Sequence, residues 1–146
     1  MIAKLISEAT FPHPLARFVT LEAIAHLLQV PCEDIREIRC WTNVILVVGR
    51  GFCRFVSYAD IPPVVGVEPP QTRDFLRWRK RWRKNRYKAP EFWKEFYAQK
   101  LRQTASAEEL SHWGQLLSQM ESNLSAATRE FLNEVYRQEQ HDFPQR

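Results

Sequence analysis

The sequence predicts an α+β chain: a small N-terminal module with one helix and a buried β-hairpin, followed by a helical C-terminal part of three to four helices. Three observations carry that expectation. Aliphatic runs flank Gly49-Arg50-Gly51 as a hairpin would require. Residues Ile61 to Pro70 then hold four prolines and a glycine, a stretch that no helix can cross. Beyond it, apolar side chains recur at helical spacing to the end of the chain. The organisation expected is a module over residues 1–60, a proline-rich joint over 61–71, and a basic helix with a helical hairpin or small bundle over 72–146.

With 146 residues, the chain has material for one ordinary core or two small ones. An apolar fraction of 45% and a charged fraction of 26% match a folded soluble protein. The first segment, FPHPLARFVT, ends in a β-favouring triplet, and Thr20 is placed to cap the helix that follows. In that helix Leu21, Ile24, Leu27 and Leu28 share a face, and Pro31 limits it to about Gln29. From Glu37 to Ser57 the pattern is β. Pairing Val48 with Phe52 across a three-residue loop puts Val44, Leu46 and Val48 on one face and Ile45 and Val47 on the other. Both faces are then apolar, which predicts a hairpin covered on both sides or placed at a contact between copies of the chain. Ser57 and Asp60 fit a short capped turn stopped by Pro62 and Pro63. RFVTLEAI at Arg17 and RFVSYADI at Arg54 share local chemistry, though eight residues are too few to mark a duplication.

The second half predicts a helix from Arg73 to about Lys88 capped by Thr72, then one opened by Pro90 with Phe92, Trp93, Phe96, Tyr97 and Leu101 buried. Ser106 to Glu109 has the capping-box form and leads a stripe of Leu110, Trp113, Leu117, Met120 and Leu124. Ser125 starts a last helix with Phe131, Leu132, Val135 and Tyr136 inward.

Charge is the main functional signal. Between Arg73 and Arg102 lie twelve of the 21 basic residues and three of the 17 acidic ones, so this segment carries +9 within an overall +4. On an ideal helix Phe75, Trp78 and Trp82 fall on one side, and Arg73, Arg77, Lys80, Arg81, Lys84 and Lys88 fall on the other across about 100°. Arg79, Arg83 and Arg86 are secondary positions, as is Arg50 at the hairpin tip. Six like charges on one face repel each other, and a polyanion relieves that repulsion. The expected function is a nucleic-acid-binding accessory or regulatory protein acting on the phosphate backbone of RNA or DNA. The alternative is a non-enzymatic protein-interaction or assembly factor whose basic helix docks on an acidic protein. A solvated face, neutralised by Glu108, Glu109, Glu121, Glu130, Glu134, Glu139 and Asp142, is the plain structural explanation.

Leu21 to Ile38 resembles the helix-turn-helix pattern of bacterial regulators: Ile24, Leu28, Val30, Ile35 and Ile38 take the apolar positions and Ala25 the small one. With the hairpin behind it, the resemblance implies a winged variant. Gln29 stands where that pattern has its turn glycine, and Glu33, Asp34 and Glu37 would face phosphates unfavourably.

Other chemistry is not indicated. Cys32, Cys40 and Cys53 have neither disulfide nor zinc spacing, and His13, His26, His112 and His141 are scattered. Glu22 and His26 suit a surface pair. Gly49-Arg50-Gly51 lacks the third glycine and following helix of a phosphate loop. No nucleophile motif occurs, so no enzyme, cofactor, metal or catalytic residue is expected. MIAKLISEAT lacks a signal peptide's apolar region, and no stretch reaches the roughly 20 apolar residues of a membrane span. A cytoplasmic chain is the expectation.

Overall fold

The computed structural model describes residues 13–143; the N-terminal stretch read above against a signal peptide lies outside them. The chain divides between Pro62 and Pro63 into two compact units, a mixed α/β region followed by a helical one.

In the first unit a 3-10 turn, Pro14–Phe18, takes up the first two residues of the triplet read as β-favouring and leaves Val19 extended. His13 caps it through Nδ1, which accepts from the Leu15 N–H at 3.0 Å. Helix α1 (Leu21–Leu28) starts where Thr20 Oγ1 accepts from the Ala23 N–H at 3.1 Å and stops at Gln29, which is left-handed at φ 57°. Its buried face is Ala23, Ile24, Ala25 and Leu28. Gln29 thus takes the conformation of the turn glycine in a helix-turn-helix.

No second helix follows it. Cys32–Asp34 is a 3-10 turn, and strand β1 (Ile35–Cys40) occupies the place of the implied recognition helix. The reason is a bulge. Ile35 pairs with Gly49 and Glu37 with Val48, so Arg36 is the extra residue. Two isoleucines three apart would point to opposite faces of a regular strand; the bulge turns both inward, to 4% and 0% exposure. A bulged strand therefore imitates helical spacing.

β1 pairs antiparallel with β2 (Ile45–Gly49), and β2 with β3 (Phe52–Val56), in the order β1-β2-β3. The hairpin register differs from the expected one by a residue: Gly49, not Val48, faces Phe52, and the loop is Arg50-Gly51 alone. Such a slip exchanges the faces. Ile45, Val47 and Val56 are buried, while Leu46, Val48, Cys53 and Phe55 lie on the outer face, with Phe55 64% exposed. Among the described residues the hairpin is covered on one side, not both. Gly51 supplies the positive φ of the turn, at 80°. Gly49 serves close approach instead, since a Cβ there would lie 2.1 Å from the Phe52 ring and 2.8 Å from the Asp34 carbonyl oxygen. Ser57 Oγ caps the 3-10 turn Tyr58–Asp60, as its sequence requires. The Tyr58 ring stacks on His13 with centroids 4.3 Å apart, and its hydroxyl donates to the Trp41 carbonyl.

Among the described residues the second unit contains four α-helices. They are α2 (Thr72–Arg81), α3 (Phe92–Arg102), α4 (Ala107–Met120) and α5 (Ala126–Asp142). Ser106 and Ser125 cap α4 and α5 through hydroxyls that accept from the third residue on. The capping box at α4 is displaced by a residue, because the Glu109 carboxylate accepts from Ala105 N–H. Helix α3 packs on α4 and α5, burying Trp93, Phe96, Tyr97 and Leu101 against Leu110, Trp113, Leu116, Met120, Leu132 and Val135. Leu116 takes the inward place expected of Leu117, which is half-buried. The Tyr97 hydroxyl donates to the Pro63 carbonyl at 2.7 Å and fixes the early part of the proline stretch to this core.

Candidate nucleic-acid interface

The basic segment is positioned at its start by a carboxylate and along its length by indoles. Gln71, not Thr72, is the cap residue of α2. Asp74 reaches back so that its Oδ2 accepts from the Gln71 N–H at 3.0 Å, and its Oδ1 accepts from Arg77 Nη1 at 3.1 Å. A negative group in the first turn also opposes the helix dipole. Trp78 and Trp82, one turn apart, are 0% and 2% exposed. They turn the opposite side of α2 to solvent.

A single helix from Arg73 to Lys88 does not form. Helix α2 ends at Arg81, Arg83–Asn85 is a 3-10 turn, and Arg86 and Tyr87 are left-handed at φ 55° and 66°. Continuing the helix would align Arg79 with Arg83 and Lys80 with Lys84, like-charge pairs at i, i+4 that disfavour it. The break instead leaves the Trp82 carbonyl accepting from Asn85 N–H and Tyr87 N–H, both at 2.9 Å, with the indole still in the core.

The predicted site residues consequently separate into groups. Arg73, Arg77, Lys80 and Arg81 share the outer face of α2; Arg77 is half-buried and ion-paired with Asp74, and the other three are exposed. Leu76 lies among them, 57% exposed. Arg79 is exposed on another side of the helix. Arg83 and Lys84 project from the turn, Arg86 follows them, and Lys88 Nζ donates to the Ser122 carbonyl at 3.3 Å. Lys84 and Lys88 therefore do not continue the α2 face. Arg73, Arg79, Lys80, Arg83, Lys84 and Arg86 make no ion pair among the described residues, so the acidic C-terminal helix does not neutralise them. Arg50 belongs to the first unit, where its guanidinium sits 4.0 Å from the Asp34 carboxylate.

Sequence reasoning missed Asn123 and Ser122. With Arg79, Arg86, Tyr87 and Lys88 they line an open depression of about 490 Å³. A second one, of about 380 Å³, shares Arg86 and Lys88 and is also lined by Lys84 and Glu91. The Ala89 N–H donates to the Asn123 carbonyl at 2.9 Å, which ties the basic turn to the α4–α5 connection. No local pattern announces a contact between residues this far apart in the chain.

The remaining features offer little chemistry. A groove of about 320 Å³ is lined by α4 and α5, and Tyr136 packs so closely on Gly114 that a Cβ there would lie 2.5 Å from its ring. Burial pushes the Cys40 thiol above its ordinary value, which opposes thiolate formation. Among the described residues, no cluster of three or more His, Cys, Asp or Glu could hold a metal ion, and no helix is long and apolar enough to cross a membrane. Comparison with known proteins finds no matching family model, no similar curated protein and no similar solved structure.

Proposed function

We propose that this chain is a nucleic-acid-binding accessory or regulatory protein that grips the phosphate backbone through α2 and the basic turn after it. One observation carries the reading. Six cations, Arg73, Arg79, Lys80, Arg83, Lys84 and Arg86, stand within fourteen residues without an ion pair among the described residues. The α2 dipole favours some positive charge at its C-terminal end, but that effect fades within a turn and is too small to account for the whole set. A phosphate chain supplies the missing countercharge and releases condensed ions on binding. Arginine predominates, which suits bidentate contacts to phosphate oxygens. Cys32, Cys40 and Cys53 form no disulfide among the described residues, which fits the reducing cytoplasm.

The test is charge reversal at exposed positions, Arg73→Glu, Lys80→Glu and Lys84→Glu together. Binding to RNA or DNA oligonucleotides at about 50 mM salt should be lost, with stability held within about 0.5 kcal/mol. Unchanged binding would refute the reading.

A second reading has its own observation. Leu76 is 57% exposed among the α2 cations. A phosphate chain gains nothing from that side chain, whereas an acidic protein partner would bury it. Leu76→Ala separates the two: nucleic-acid binding is indifferent to it, and docking on a protein is weakened.

A further inference from the structure

The outer face of the sheet in the first unit is apolar and aromatic, with arginine at its rim. Arg39 of β1, Leu46 of β2 and Phe55 of β3 stand opposite one another across the strands, so their side chains share that face. Glu37, Val48 and Cys53 form the next row. Trp41 follows β1 and brings its ring to Phe55, with centroids 5.9 Å apart and planes tilted by 55°. The two rings are not stacked on each other, and they remain 44% and 64% exposed beside the half-buried Leu46 and Val48. The strands and their connections, residues 35–56, carry Arg36, Arg39, Arg50 and Arg54 against Glu37 alone, a net +3. Arg39 holds Glu37 at 2.7 Å, and Arg50 lies by Asp34. Arg36 and Arg54 are exposed and make no ion pair among the described residues.

We infer that this face is a stacking platform for the bases of a single nucleic-acid strand: Trp41 and Phe55 take neighbouring bases, and Arg36, Arg39 and Arg54 meet the phosphates beside them. The inference rests on the nucleic-acid reading above and adds a base-contacting surface, in the first unit, to the cations of the second. Charge selects this occupant. Aromatic rings alone would suit any apolar partner, but the net +3 around them favours an anionic one. A nucleotide offers a π face and a negative charge together. In a duplex each base is held between stacked neighbours, so the strand that stacks on these rings is single. Size argues against a second copy of the chain. Strands of five and six residues give a face of about 17 by 14 Å, from about 3.3 Å per residue and 4.8 Å between strands. That is well below the roughly 800 Å² per partner of a stable dimer, and it accommodates two or three bases.

The experiment measures binding of the full chain to two strands of about twelve nucleotides at one salt concentration. One is a single strand of mixed sequence; the other has the same sugar-phosphate backbone and no bases. Equal backbone charge cancels the electrostatic contribution, so the ratio of affinities reads base contacts. The base-bearing strand should bind at least about tenfold more tightly. Trp41→Ala with Phe55→Ala should bring that ratio to about one and leave the affinity for the abasic strand unchanged. Both positions are exposed, and the Tyr58 hydroxyl donates to the Trp41 backbone carbonyl, which the substitution keeps. Should that variant not fold, Trp41→Leu with Phe55→Leu keeps an apolar cover without a π face and must lower the ratio likewise. Equal binding of the two strands overturns the stacking platform and leaves the nucleic-acid reading standing. No binding of either strand overturns both. A chain that sediments as a dimer, and turns monomeric in the double variant with the ratio unchanged, assigns the face to a second copy and also overturns the inference.

Discussion

The Trp82 indole lies stacked on that of Trp78, with ring centroids 5.9 Å apart and planes 7° from parallel. Trp93 of α3 meets both edge-on, at 6.0 Å from Trp78 and 5.0 Å from Trp82. This three-ring cluster is what makes a highly charged segment part of a core. Edge-to-face and offset contacts of this kind contribute beyond the area they bury. Removing Trp93 with Trp93→Ala is expected to cost about 3–5 kcal/mol of unfolding free energy in urea. A cost under about 1 kcal/mol would mean that α2 is not anchored as described.

Asp74 gives a second stability prediction. It is 3% exposed, closes the α2 N-terminus on the Gln71 N–H and pairs with Arg77. Asp74→Ala removes both interactions and should cost about 1–2 kcal/mol, read by thermal or urea unfolding. Asp74→Asn, which can still accept from a backbone N–H, should recover part of that loss.

The hairpin tests the observed register. At Gly51 an added Cβ meets open space but the φ of 80° disfavours any L side chain, so Gly51→Ala should cost about 1 kcal/mol. Gly49→Ala must instead displace the Phe52 ring and press on the Asp34 carbonyl. It should cost the more of the two in urea unfolding. Had Val48 faced Phe52, that order would be reversed.

Base stability follows from buried phenols. Burial holds Tyr97 well above the ordinary tyrosine value, and burial followed by the Cys40 thiol raises Tyr58. Each raised value means a contribution fully present below the unfolded value of about 10 and lost as pH rises toward the folded one. Above about pH 10 stability should therefore fall, by about 1.4 kcal/mol per pH unit for Tyr97 alone. Tyrosinate absorbance should rise together with the loss of near-ultraviolet dichroism. Tyr97→Phe should flatten that dependence while losing about 1 kcal/mol at neutral pH with the bond to Pro63.

The sequence was legible where a local cue decides the outcome. Thr20, Ser57, Ser106 and Ser125 all accept the N–H bonds their positions imply, and the inward tryptophans of α2 follow from a helical repeat. It misled where one residue shifts a pattern. The extra Arg36 gave Ile35 and Ile38 a helical spacing in a strand, and a loop one residue shorter exchanged the faces of β2. Of the candidate site, the cations were visible but their distribution was not. The end of α2 at Arg81 is a balance of many weak local terms, and Asn123 reaches the basic turn only through the packing of the helices.

Salt dependence of binding tests the central claim most directly. With four to six of the exposed cations engaged on a single strand, log K should fall with log salt at a slope of about −3 to −4, from roughly 0.7 per contact. Neutralising one contact with Lys80→Ala should reduce the magnitude of that slope by about 0.7. A slope near zero in the unsubstituted chain, or no binding at low salt, would contradict the account.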